Sequence, residues 1–140
     1  LAELKKEMTD VMSEHNGVGL SASQVGLNKR IFTMGHPHQD VALCINPTIL
    51  QYTEETVLDV EGCLSFPNMF VHVQRPRDLL VEYYDENLQL CRTQVSDYSA
   101  RIFSHELDHL NGITFKDRVS KMKWDMAKKK AKKAKKIDIV

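Results

Sequence analysis

The segment Ser104-His105-Glu106-Leu107-Asp108-His109-Leu110-Asn111-Gly112 constrains this chain more than any other. It contains H-E-x-x-H, and residues 97–103 ahead of it read as the start of a helix. Positions i and i+4 of a helix share a face, so His105 and His109 can offer two imidazole nitrogens to one metal ion. Glu106 is rotated about 100° from His105. It can stand beside such an ion without ligating it, which is the place for a base acting on bound water. The plain alternative is a surface helix that carries two histidines by coincidence.

A catalytic site of this type takes three protein ligands and keeps one position for water. The downstream candidates fail. The pattern H-E-x-x-H-x-x-G-x-x-H survives as far as Gly112 and then meets Phe115, and no glutamate follows Glu106. The third ligand is therefore expected upstream, and Cys63 in Glu61-Gly62-Cys63-Leu64-Ser65 is the choice. It lies beside a glycine and ahead of Phe66-Pro67, a position expected to be exposed enough for a thiolate ligand. Read alone it would be structural. Cys44, in the apolar run 41–45, and Cys91, in a strand, read as small core residues. His36, His38 and His72 lack ligand spacing and read as solvated or hydrogen-bonded.

The chain has 140 residues, 42% of them apolar, which suits one domain with an adequate core. No apolar run reaches membrane-spanning length, no signal-type segment opens the chain, and no membrane partner is expected. The first residue is Leu1, so a preceding segment is expected to be trimmed or processed. Three cysteines, an odd number, argue against a disulfide framework and for a reducing, cytoplasmic setting, or an organelle if a transit segment has been removed. The zero net charge hides an asymmetry. Residues 1–115 hold 8 Lys/Arg against 16 Asp/Glu, and residues 116–140 hold 11 against 3. An acidic body carries a basic tail.

Leu1, Leu4, Met8, Val11 and Met12 space an amphipathic helix over residues 1–15, with Gly17 expected as its left-handed cap. Residues 17–26 are rich in small side chains, which let backbone approach a ligand; from this loop alone Gln24 reads as a solvated side chain in a helix-to-strand connection. Strands are expected over 30–34, 41–45, 48–58, 70–74, 79–84 and 88–95, with breaks at Asn46-Pro47 and Arg75-Pro76 among others. The order predicts an α+β fold: mostly antiparallel sheets packed around the H-E-x-x-H helix, after an N-terminal amphipathic helix and before a basic C-terminal tail.

The chain resembles the peptide deformylases, whose motifs G-x-G-x-A-A-x-Q, E-G-C-L-S and Q-H-E-x-D-H-L-x-G appear in order at 17–24, 61–65 and 104–112. Phe115-Lys116-Asp117-Arg118 looks like the family's F-x-D-R, and Ala100-Arg101-Ile102 like the run before its first histidine. Two residues depart: Ser21 stands for the first motif's leading alanine and Ser104 for the glutamine before His105. The resemblance implies a catalytic domain over 1–120 and a basic helix or tail over 121–140. It implies hydrolytic removal of the formyl group from N-formyl-methionyl nascent peptides by a monomer. Cys63, His105 and His109 would hold one divalent metal, ferrous iron in the family, with zinc, nickel or cobalt able to replace it. Glu106 would be the general base, and Gln24 and the Leu64 backbone N–H would face the developing oxyanion. Val18, Gly19, Gly62 and Arg101 would line up substrate. Glu61 and Arg75 would pair to fix the turn that presents Cys63, the alternative being two unrelated surface charges. Asp108 is open between orienting a ligand histidine and capping a neighbour.

Two rivals are weighed. A different H-E-x-x-H hydrolase is disfavoured by Phe115 and by the Cys63 motif. A structural metal module would close its site with a fourth ligand and need not keep Glu106. In the tail, nine lysines fall between Lys121 and Lys136. A helix is expected from about Val119, its distal part solvated. It serves either solubility or docking on ribosomal RNA.

Overall fold

The structure, a computed structural model, describes residues 1–63 and 65–132. Helix α1 (Ala2–Glu14) forms where Leu4, Met8, Val11 and Met12 fall on one face. Met8 and Met12 are buried among Leu20, Ala22, Ile31 and Leu43. The left-handed residue after it is Asn16, at φ 54°, and not the expected Gly17. The Gly17 N–H then closes onto the Met12 carbonyl at 2.8 Å. Asparagine tolerates this conformation because its short polar side chain can bond locally, so the turn comes one residue early.

Seven strands follow: β1 (Gly19–Ser21), β2 (Ile31–Gly35), β3 (Val41–Tyr52), β4 (Thr56–Cys63), β5 (Phe66–Pro76), β6 (Asp78–Tyr84) and β7 (Leu90–Ser96). Every pairing is antiparallel. One sheet has the order β1-β2-β3-β6-β7, and β4-β5 form a separate ribbon. Helix α2 (Asp97–Leu110), a 3₁₀ turn (Phe115–Arg118) and α3 (Lys121–Ala131) complete the described chain. The α+β expectation holds. No helix among the described residues is long and apolar enough to cross a membrane.

Two strand expectations are corrected. The run 48–58 is not one strand: Thr53 and Glu55 make a turn in which Thr53 Oγ accepts from the Asp78 N–H and donates to the Glu55 carbonyl. The chain changes sheets there, since β3 pairs with β6 and β4 with β5. Conversely, Asn46-Pro47 does not end a strand. Pro47 lies in a register shift between Ile45 and Thr48, where its missing N–H costs no ladder bond. Cys91 is also only half-buried, with Sγ 3.8 Å from an Asp85 carboxylate oxygen, while Cys44 is fully buried as expected.

Helix α2 is the hub. Phe103 meets Phe32 edge-on at 5.0 Å, inside a cluster with Cys44, Leu79, Val81 and Ala100. Its other side carries His105 and Glu106, each 1% exposed. β1 lies at the sheet edge, alongside this second face. A Cβ on Gly19 would stand 2.5 Å from Glu106 Oε2, so only glycine lets β1 come this close.

Helix α3 covers β5 with one large side chain. Trp124 is 7% exposed and meets Phe66 and Phe115 edge-on, both at 5.4 Å. Met122 and Met126 point out, at 72% and 54% exposure. The amphipathic stripe is therefore narrow, as a lysine-rich helix requires. Trp124→Ala should cost about 3–5 kcal/mol, the usual range for emptying a buried aromatic site. Urea unfolding measures this, and a loss under about 1 kcal/mol would mean that α3 docks without its anchor.

Candidate active site

The donor atoms assemble from two places. The i, i+4 spacing on α2 brings His105 Nε2 and His109 Nε2 to 3.0 Å. The last residue of β4 places Cys63 Sγ 3.5 Å from His109 Nε2. All three ligand atoms lie within 4.8 Å of one another. A tetrahedral ion with nitrogen at about 2.0–2.1 Å and sulfur at about 2.3 Å asks for N···N near 3.3 Å and S···N near 3.6 Å. The residues fit such an ion. Cys63 is 4% exposed, more enclosed than expected, because it packs in a cluster with Met69, Val71, Phe115 and Trp124.

Two imidazoles this close cannot both carry charge. Burial opposes a proton on His105, but its hydrogen bonds to Cys63 and Glu61 outweigh it and hold its pKa at about 10. Burial, then the His105 charge, push His109 down to about 4. His105 thus keeps the proton and His109 stays neutral across the Nε2···Nε2 contact, where a bound cation would take that proton's place.

Glu61 does more than the expected pairing with Arg75. Its Oε1 lies 2.8 Å from His105 Nδ1, so it fixes the ring and its tautomer. Arg75 donates to both Glu61 oxygens, at 2.9 and 3.0 Å, and Arg101 adds a bond at 2.6 Å. Burial pushes the Glu61 carboxyl up, but the His105 and Arg75 hydrogen bonds prevail and bring it to about 2. The Glu61–Arg75 pair is a buried ion pair and not two surface charges. Asp108 orients no histidine; it accepts from Arg75 at 2.6 Å and from Arg118 at 2.7 and 2.9 Å. Arg118 belongs to the 3₁₀ turn, and the only sequence signal that singled it out was the likeness of residues 115–118 to F-x-D-R.

Gln24 is not a solvated loop side chain. It sits in a 3₁₀ turn (Ala22–Val25), and its Nε2 donates to Ser65 Oγ at 3.2 Å and to Cys63 Sγ at 3.4 Å. Gly19 opens the edge strand, while Val18 stays in the bend just ahead of it, where its carbonyl is taken by the Gly35 N–H at 2.9 Å. Gly62 and Arg101 line a cavity beside His105, together with Tyr98 and Ile102. The Arg101 guanidinium itself is bonded to Glu61 and to the carbonyls of Val57, Asp59 and Val73. Leu64 falls outside the described residues.

Glu106 completes the site. Burial pushes its carboxyl up to about 7, against the opposing pull of His105. Its Oε1 is buried without a hydrogen-bond partner among the described residues, as is Ser104 Oγ. A buried oxygen left so is one that a catalytic role or a bound water or ion accounts for.

Fold and donors together define a class: an α+β protein whose H-E-x-x-H helix and upstream cysteine can hold one ion beside a buried carboxylate. Within that class, the chain belongs to the polypeptide deformylase family, whose model matches residues 1–125. It is 40% identical to a peptide deformylase of Wolbachia pipientis over 148 aligned positions, covering 97% of this chain and 83% of the relative. The crystal structure of peptide deformylase from Thermotoga maritima superposes with a TM-score of 0.81 at 39% identity, covering 85% of this chain and 80% of that one. A Synechococcus elongatus peptide deformylase in complex with actinonin gives 0.86 at 35% identity, covering 92% and 71%.

Proposed function

We propose that this chain hydrolyses the formamide bond of N-formyl-methionyl peptides, releasing formate and a free α-amine. The observation that carries this is the convergence of Cys63, His105 and His109 beside a buried Glu106 oxygen that has no hydrogen-bond partner among the described residues. Those three side chains would hold one divalent ion, which supplies Lewis-acid polarisation and lowers the pKa of water towards neutrality. Ferrous iron is the ion proposed, and zinc, nickel or cobalt suit the same N/S donors.

The chain's own groups do the rest. Glu106 takes the proton of the attacking water and returns it to the departing amine nitrogen. The Gln24 amide, together with the Leu64 backbone N–H, stabilises the oxyanion at the formyl carbon. The edge of β1 at Gly19, with Val18 just ahead of it, pairs with the substrate backbone, and the cavity beside Gly62, Arg101 and Ile102 takes the methionine side chain. Glu61 and Arg75 act as positioning groups behind His105. The chain works as a cytoplasmic monomer, with the body over 1–120 as the catalytic unit.

Formate release from an N-formyl-methionyl tripeptide, by iron-loaded protein under anaerobic conditions, tests the reading. No formate above the metal-free control would refute it. The ligand set has its own check. Cys63→Ser should empty the site and abolish turnover, while Cys44→Ser and Cys91→Ser keep full metal occupancy. Equal metal loss in all three variants would remove Cys63 from the set.

The tail reading rests on charge. Lys121, Lys123, Lys128, Lys129, Lys130 and Lys132 are all exposed, and we propose docking on ribosomal RNA through them. Residues 133–140, which hold the remaining lysines, lie outside the described residues. Deleting residues 128–140 should weaken low-salt ribosome binding and leave tripeptide hydrolysis unchanged. Undiminished binding would reduce the tail to a solubilising end.

A further inference from the structure

We infer that the Ser21 hydroxyl is a positioning residue that aims the Gln24 amide into the site. This rests on the reading of Gln24 as an oxyanion donor. Ser21 is fully buried at the end of β1, and a serine hydroxyl placed there has to bond something. Its target is Gln24 Oε1 at 3.1 Å. The same oxygen also accepts from the Ser21 backbone N–H at 2.9 Å. Ser21 Oγ lies 3.0 Å from the hydroxyl of exposed Ser23. Ser23 can therefore donate to Ser21, which turns the Ser21 proton toward Gln24.

The two bonds on Oε1 have different effects. The backbone N–H can only donate, so it decides which end of the amide is oxygen. One bond leaves the terminal torsion of a glutamine broad. The hydroxyl occupies the second acceptor site and so fixes the plane of the amide. With that plane set, Nε2 faces Cys63 Sγ at 3.4 Å and Ser65 Oγ at 3.2 Å. Electrostatic stabilisation of a transition state depends on donors aimed beforehand. Ser21 thus acts on the reaction only through Gln24.

The test is a double-mutant cycle on the full, metal-loaded chain, with kcat, KM, bound metal and melting temperature measured for Ser21→Ala, Gln24→Ala and the pair. Ser21→Ala should lower kcat by about three- to tenfold, the worth of one such hydrogen bond, with KM and metal content unchanged. In the Gln24→Ala background it should cost nothing further. Unchanged kcat in Ser21→Ala overturns the inference, and so does an equal loss in both backgrounds. Unchanged kcat in Gln24→Ala alone instead overturns the oxyanion role, and the inference with it.

Discussion

Replacing Glu106 by glutamine should keep the fold and the metal and cut turnover by about 10²–10⁴, the usual worth of a positioned general base. Glutamine matches the carboxylate in shape, so Gly19 still packs against it, and no ligand atom of the Cys63–His105–His109 set changes. Only the proton acceptor is lost. Burial raises the Glu106 carboxyl from its ordinary 4.5 to about 7. Its protonated form therefore supports the folded state fully below about pH 4.5, and that support fades as pH rises through 7. The metal-free variant, which cannot ionise there, should thus be more stable than the metal-free parent at pH 8. Turnover and metal content measured together decide the matter. Full activity would remove Glu106 as the base, and lost metal would make it a ligand.

Glu61→Ala should have the second large effect. It strips the carboxylate from Arg75, Arg101 and His105 at once. Breaking a buried ion pair from one side typically costs about 3–5 kcal/mol, since the cations left behind stay desolvated. Loss of the group that orients a ligand histidine typically lowers metal affinity by about 10–100-fold. The pH dependence follows from the direction of the shift. Glu61 falls from 4.5 to about 2, so its stabilisation is complete above about pH 4.5 and is lost as pH drops toward 2. Urea titrations across that window should show a steep acid limb in the parent and a shallower one in Glu61→Ala. Parallel limbs would mean that the network is held together without Glu61.

The parts of this site that lay in one short stretch were legible in the sequence. Helical spacing alone puts His105 and His109 together, and the failure of every downstream ligand pointed to Cys63. Groups brought together across the fold were harder to read. Glu61 meets His105 from 44 positions away, and Arg118 meets Asp108 and thereby Arg75 through a turn that spacing does not reveal. Gln24 looked solvated because its partners, Cys63 and Ser65, sit about forty residues on, at the end of β4 and in the turn after it. Strand boundaries failed for a related reason. β-Branched runs mark extended backbone, but the switch from one sheet to the other at Thr53–Glu55 depends on hydrogen bonds to Asp78 and Arg77. Pro47 likewise reads as a break until its bulge is seen.

The most direct measurement is product analysis by mass spectrometry after iron-loaded enzyme meets one N-formyl-methionyl peptide and its N-acetyl counterpart. A water aimed at the formyl carbon should give formate and the intact peptide with a free N-terminus in equal amounts, with the acetyl peptide left largely untouched. Cleavage at an internal peptide bond, in either substrate, would contradict this and make the H-E-x-x-H helix part of a peptidase.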